Sequence, residues 1–204
     1  MFTGIVRSIG QVNLLEPCDG DVRLTISCDD LGLDDVELGD SIACSGACLT
    51  VIQKTKNTFS VDVSLETLGL TTVGMWKEGD LVNLEKAMMA TDRFGGHIVS
   101  GHIDGIGEVT ERKSNARSEF IKIHAPTSLL KYISVKGSIT IDGTSLTINR
   151  VSGSEFELNI IPQTLRHTVI SDYKVGTKVN LEVDLIARYL EKLVSAEKMK
   201  DSEN

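Results

Sequence analysis

Proton-handling side chains are unevenly placed along this chain. His102, Lys136 and Asp184 stand in its second half, and the residues 97 positions before them are Ile5, Gly39 and Ala87. Ser145 stands over Cys48 in the same way. An imidazole moves protons near neutral pH. An ammonium or a carboxylate steadies developing charge. A thiol or hydroxyl serves as polar partner or nucleophile. Each has a plainer reading alone: a loop histidine, a solvated turn lysine, a helix-capping aspartate, a small buried hydrophobe at Cys48. Jointly they describe two related sites of unequal reactivity, suited to one ligand in two roles.

The elements that position these groups come from an internal duplication. Shifted by 97 residues, GIVRSIGQV falls on GHIDGIGEV, SIACSGACLTV on SITIDGTSLTI, FSVDVSLETL on FELNIIPQTL, and KEGDLVNLE on KVGTKVNLE. Identities number 21 in 87 ungapped pairs, where ordinary composition gives about five. Two copies of one fold follow. Phe59, Val61 and Val63 alternate with polar residues, as do Phe156, Leu158 and Ile160, which is the period of a half-buried strand. Glycines punctuate short strands throughout, so each copy is expected to be a small all-β barrel or sandwich, closed against edge pairing. Matched pairs that stay alike, including Ser41/Ser138, Gly46/Gly143, Leu49/Leu146, Thr50/Thr147 and Thr67/Thr164, report either the shared fold or a shared polar ligand. After the repeat, Leu185, Ile186, Tyr189, Leu190, Leu193 and Val194 recur at helical spacing, with Asp184 as the expected N-cap.

Composition narrows the class. The formal net charge of -8 argues against sequence-independent nucleic-acid binding, which needs a basic surface. No apolar run approaches a membrane span of about 20 residues, and Arg7 and Gln11 interrupt any signal-peptide core. A cytoplasmic protein is therefore expected. Cys18, Cys28, Cys44 and Cys48 form no C-x-x-C and have no histidine nearby, which disfavours zinc and a disulfide framework. His97 and His102, five apart, do not have metal-pair spacing, and no G-x-G-x-x-G supports a dinucleotide site. No metal is expected.

The segments MFTGIV, GDSIACSGACLTV, RFGGHIVSGHIDG, KGSITIDGTSLTI, IIPQTL and VNLEVDLIARY together resemble the riboflavin synthase family, over Met1 to about Tyr189. The resemblance implies two tandem Greek-key six-stranded antiparallel β-barrels, at 1–97 and 98–186, plus a C-terminal α-helix and tail at 187–204. It implies a homotrimer built through that helix, with the active site between the N-terminal barrel of one subunit and the C-terminal barrel of another. The resemblance also implies an association with lumazine synthase. Ser45-Gly46 replaces the family's usual Asn-Gly, and Gln163 stands where Glu is common.

Carried over residue by residue, the first pocket would use Gly4, Ile5, Val6, Cys48, Leu49, Thr50, Asp62, Val63, Ser64, Leu65, Glu66 and Thr67. The second would use Gly101, His102, Ile103, Lys136, Ser145, Leu146, Thr147, Asn159, Ile160, Ile161, Pro162, Gln163 and Thr164. Phe2 and Ser41 match residues linked to activity. The implied reaction, the last step of riboflavin biosynthesis, dismutates two 6,7-dimethyl-8-ribityllumazines into riboflavin and 5-amino-6-(D-ribitylamino)uracil by four-carbon transfer, with no cofactor. It starts with loss of a proton from the C7 methyl. His102 assisted by Thr147 is the expected proton shuttle. Ser145, Ser41 and Cys48 are candidate polar partners or nucleophiles, and Lys136 and Asp184 support charge. The rival reading is a one-chromophore binding protein of the same fold. The polar groups kept in the second copy favour the enzyme.

Overall fold

The structure is a computed structural model that describes residues 1–201. The first copy holds β1 (Ser8–Cys18), β2 (Asp21–Ser27), β3 (Ser41–Cys44), β4 (Ala47–Lys54), β5 (Thr58–Val63), the short helix α1 (Leu65–Leu70) and β6 (Leu81–Lys86). These strands close into a barrel in the order β1-β2-β5-β4-β3-β6, every pair antiparallel. The period-two pattern does what it predicts: Phe59, Val61 and Val63 fill the barrel with Leu24, Ile26, Ile42 and Leu84. Asp62 faces out and pairs with Arg23.

The second copy repeats the order with one more strand. β7 (Gly105–Asn115), β8 (Ser118–His124), β9 (Ser138–Ile141), β10 (Thr144–Thr147), β11 (Arg150–Ser152), β12 (Glu155–Ile160) and β13 (Lys178–Val183) form a curled sheet ordered β10-β9-β13-β7-β8-β12-β11, with α2 at Pro162–His167. β10 and β11 together take the place of β4. The break falls at Ile148–Asn149, where the backbone changes partners. The Ile148 N–H donates to Gly137 O at 3.0 Å and the Asn149 N–H to Glu157 O at 2.8 Å. Seven strands therefore stand where six are expected.

The copies are bolted together by matched residues. Asn83 Nδ2 donates to Asp142 O at 2.8 Å and Asn180 Nδ2 to Ser45 O at 2.9 Å. Their Oδ1 atoms accept from Val169 N and Thr72 N. These four bonds satisfy buried amides across the junction, where an unpaired polar group would cost about 1–3 kcal/mol. Gly46 and Gly143 meet there, and a Cβ on Gly46 would lie 2.7 Å from Gly143 N.

Helix α3 runs over Leu185–Asp201. Asp184 caps it, accepting the Ile186 N–H at 2.9 Å, as expected. Arg188 to Asp104 and Lys131 to Glu191 moor its first turns. Ile186, Tyr189, Leu190, Leu193 and Val194 remain exposed. Residues 202–204 of the expected tail lie outside the described residues.

Candidate active site

Each copy begins with an arm that crosses to the other copy. Phe2 and Val99 pair across the junction, with N–H to carbonyl distances of 2.8 and 3.2 Å. Gly4 O accepts the Ser145 N–H at 2.8 Å, and Gly101 O accepts the Cys48 N–H at 2.9 Å. The contacts leave no room: a Cβ on Gly4 would sit 2.6 Å from Ser145 Cβ, and one on Gly101 2.6 Å from Cys48 Cβ. Both glycines also have φ near +75°, at +75° and +78°, a region that favours glycine. Ile103 packs into the first core and Ile9 into the second.

The arms thus set Gly4 against Ser145 and Gly101 against Cys48, across the expected grouping of the two pockets. The reason is register: the arm ahead of β1 runs past its own barrel and hydrogen-bonds to β10, while the arm ahead of β7 runs onto β4. His102 thus follows the residue that touches Cys48, and no hydrogen bond joins it to Thr147 among the described residues.

The geometry instead brings together a histidine that the matched-pair comparison passes over. His97 Nδ1 lies 2.7 Å from Ser145 Oγ. The ring is buried, and its Nε2 has no partner among the described residues. Burial pushes the imidazole below the usual histidine value, and the negative Asp184 partly opposes it. A neutral ring can accept the Ser145 hydroxyl proton at Nδ1, with Nε2 carrying the ring's own hydrogen. The backbone fixes this ring too, since the His97 N–H donates to Thr3 O at 3.1 Å.

The other expected residues take varied places. Ser41 pairs with Thr50 in the β3–β4 ladder. Ser41 lines a cleft of about 670 Å³ with Thr3, Arg7, Lys86 and Ala87, which Cys48 and Ser145 do not line. Asp62, held below the usual carboxylate range by the Arg23 guanidinium, points to solvent. Val63 is core, and Ser64 caps α1 by accepting from the Thr67 N–H at 3.3 Å. Leu65, Glu66 and Thr67 follow on the helix. In the second copy Asn159 and Ile161 are exposed around buried Ile160, and Pro162 opens α2 with Gln163 and Thr164. Exposed apolar Leu65 and Ile161 sit at matched strand-to-helix corners. Lys136 has φ +66° on an exposed turn, where its counterpart Gly39 has +96°.

Two buried carboxylates tie the arms down. Glu85 accepts from Thr3 N, Thr3 Oγ1 and Gly4 N at 2.8–3.0 Å. Glu182 accepts from Ser100 N, Ser100 Oγ and Gly101 N at 2.5–2.9 Å. Burial raises both acids above their ordinary value, against the pull of those donors.

Comparison with known proteins agrees with the duplication. A family model described as the lumazine binding domain matches twice, at residues 3–87 and 100–184. A riboflavin synthase of Photobacterium phosphoreum is 48% identical over 204 residues, covering 100% of this chain and 94% of that protein. One of Bacillus subtilis (strain 168) is 43% identical over 190 residues, covering 93% and 88%. The crystal structure of LumP complexed with 6,7-dimethyl-8-(1'-D-ribityl) lumazine superposes with a TM-score of 0.81 at 25% identity, covering 90% of this chain and 99% of that one. LumP complexed with riboflavin gives 0.82 at 26% identity, with the same coverage. With two matched domains and full-length relatives of one name, this chain belongs to the riboflavin synthase family.

Proposed function

We propose that this protein is a riboflavin synthase, turning two 6,7-dimethyl-8-ribityllumazines into riboflavin and 5-amino-6-(D-ribitylamino)uracil. Donor and acceptor are one compound, so the four-carbon transfer balances without cofactor or metal. One lumazine binds beside Cys48, Leu49, Thr50, Asp62 to Thr67, and Gly101, His102 and Ile103. The other binds beside Gly4, Ile5, Val6, Ser145, Leu146, Thr147, and Asn159 to Thr164.

The His97–Ser145 pair carries this reading, because a buried imidazole whose Nδ1 lies 2.7 Å from the Ser145 hydroxyl can take its proton. His97 takes the Ser145 proton, and the Ser145 oxygen meets the reacting carbon or its acidic methyl. His102 is the proton carrier of the other pocket, next to the Cys48 thiol. Asp184 steadies an imidazolium at His97, and Lys136 and Ser41 supply charge and polarity at the rims. Holding two rings in register supplies an entropic share of the rate, of which oriented intramolecular reactions show about 7–11 kcal/mol.

Incubating the purified protein with the lumazine alone, without air, tests this. One riboflavin per two lumazines is expected. A spectral shift without product would make the chain a chromophore-binding protein and overturn the proposal. Comparing His97→Gln with His102→Gln then assigns the base of each pocket.

Finer features go with this function. The exposed apolar face of α3 joins three copies into a homotrimer, so that the first pocket of one copy faces the second pocket of another. The enzyme is cytoplasmic, in keeping with its free cysteines. Among the described residues no helix is long and apolar enough to cross a membrane. Co-sedimentation tests the association with lumazine synthase that the family implies.

A further inference from the structure

We propose that Glu85, a residue of the first barrel, is a positioning residue for the His97–Ser145 pair of the second pocket. The chain of contacts is short. Glu85 Oε1 accepts from Thr3 N and Thr3 Oγ1, both at 2.8 Å, and Oε2 from Gly4 N at 3.0 Å. The two residues so held offer their carbonyls onward. Thr3 O accepts the His97 N–H at 3.1 Å, and Gly4 O accepts the Ser145 N–H at 2.8 Å. One carboxylate therefore fixes the backbone on both sides of the 2.7 Å contact between Nδ1 and Oγ.

The packing turns this into a rigid coupling. A Cβ on Gly96 would lie 2.0 Å from Thr3 O and 2.9 Å from Ser145 Cβ. Thr3 and Gly4 cannot shift without moving His97 or Ser145. A buried carboxylate meeting three donors is well matched, since charge-assisted bonds are about twice as strong as neutral ones. The counterpart, Glu182, holds Ser100 and Gly101 and through Gly101 O reaches Cys48 N. Among the described residues no histidine N–H donates to the carbonyl of Ser100 or Gly101. The two carboxylates thus do different jobs with the same geometry.

Glu85→Gln tests this in the intact protein. The amide keeps the shape but replaces one accepting oxygen with a donor that faces an N–H. Misplacement by about 1 Å costs on the order of a hundredfold in rate, so kcat should fall about ten- to a hundredfold while KM moves less than about threefold. At one fixed pH, the ring-nitrogen NMR shifts of His97 should also move toward those of a free imidazole. In Glu182→Gln they should stay at their wild-type position. If Glu85→Gln does not fold, Thr3→Val removes one of the three bonds and should give the same changes, smaller. Wild-type kcat and unmoved His97 shifts in the folded variant would overturn the proposal, as would equal shifts in Glu182→Gln. The inference rests on the second pocket being catalytic. A wild-type protein without dismutase activity would fail that reading alone, since the His97 shifts judge the positioning separately.

Discussion

Replacing Asp142 by asparagine should make this protein more stable in mild alkali. Asp142 lies buried in the tight turn between β9 and β10, beside a cleft of about 420 Å³ where the two copies meet. Burial pushes its carboxyl from 3.8 up to about 7, while the Tyr173 hydroxyl and the Asn180 N–H donate to it and pull the other way. In the unfolded chain the same group titrates near its ordinary value. Between about pH 4 and about pH 7 the folded state keeps a proton that the unfolded state has released. Stability from this group is therefore full below pH 4 and is lost as pH rises through 7. Roughly three pH units at about 1.4 kcal/mol each put an upper limit of about 4 kcal/mol on the loss. Asparagine imitates the protonated acid: Oδ1 still accepts from Asn180 N, and Nδ2 donates to the Tyr173 oxygen. Urea unfolding of parent and variant at about pH 4.5 and about pH 8 reads the effect. The variant should lead by about 2–4 kcal/mol at the higher pH and by little at the lower. A parent more stable than Asp142→Asn at pH 8 would refute the reasoning, by showing a charged carboxylate that Tyr173 and Asn180 hold more strongly than burial opposes it.

Other outcomes follow from the same geometry. Ser145→Ala should lower kcat about a hundredfold or more with little change in fold, checked by steady-state kinetics and circular dichroism. Gly143→Ala places a Cβ 2.8 Å from Gly46 N at φ +76°, so it should cost about 3 kcal/mol or more in chemical denaturation. Leu190→Glu on the exposed face of α3 should shift the sedimentation coefficient from assembled toward single-chain values while leaving the barrels folded.

Much of the architecture can be read from the residues before any coordinates. The duplication, the period-two strands around Phe59 and Phe156, the capping role of Asp184 and the helix after it depend on local pattern, and local pattern is written in sequence. The arm exchange is not of that kind. A repeat shows that Gly4 resembles Gly101, but it carries no information on which barrel either one touches, because both seats are equally alike. His97 escaped for a related reason. The matched comparison pairs residues 1–87 with 98–184 and leaves His97 out, and its spacing from His102 speaks only to metal binding. The buried pair of Asp142 and Tyr173 was visible only as two mismatches, Ser45/Asp142 and Trp76/Tyr173, with nothing to join them until the fold did. The split of β4 into β10 and β11 likewise reflects a change of hydrogen-bond partner, which hydrophobic spacing does not record.

The crossed arms bear on how such a molecule can change over time. Each arm lies against a strand of the other copy, so a substitution ahead of β1 is felt opposite β10, and one ahead of β7 is felt opposite β4. Neither half can drift in private. A lone repeat would carry an arm with nowhere to lie and a strand lacking its neighbour, so cutting the chain between the copies should yield fragments that recover their clefts only by finding one another again.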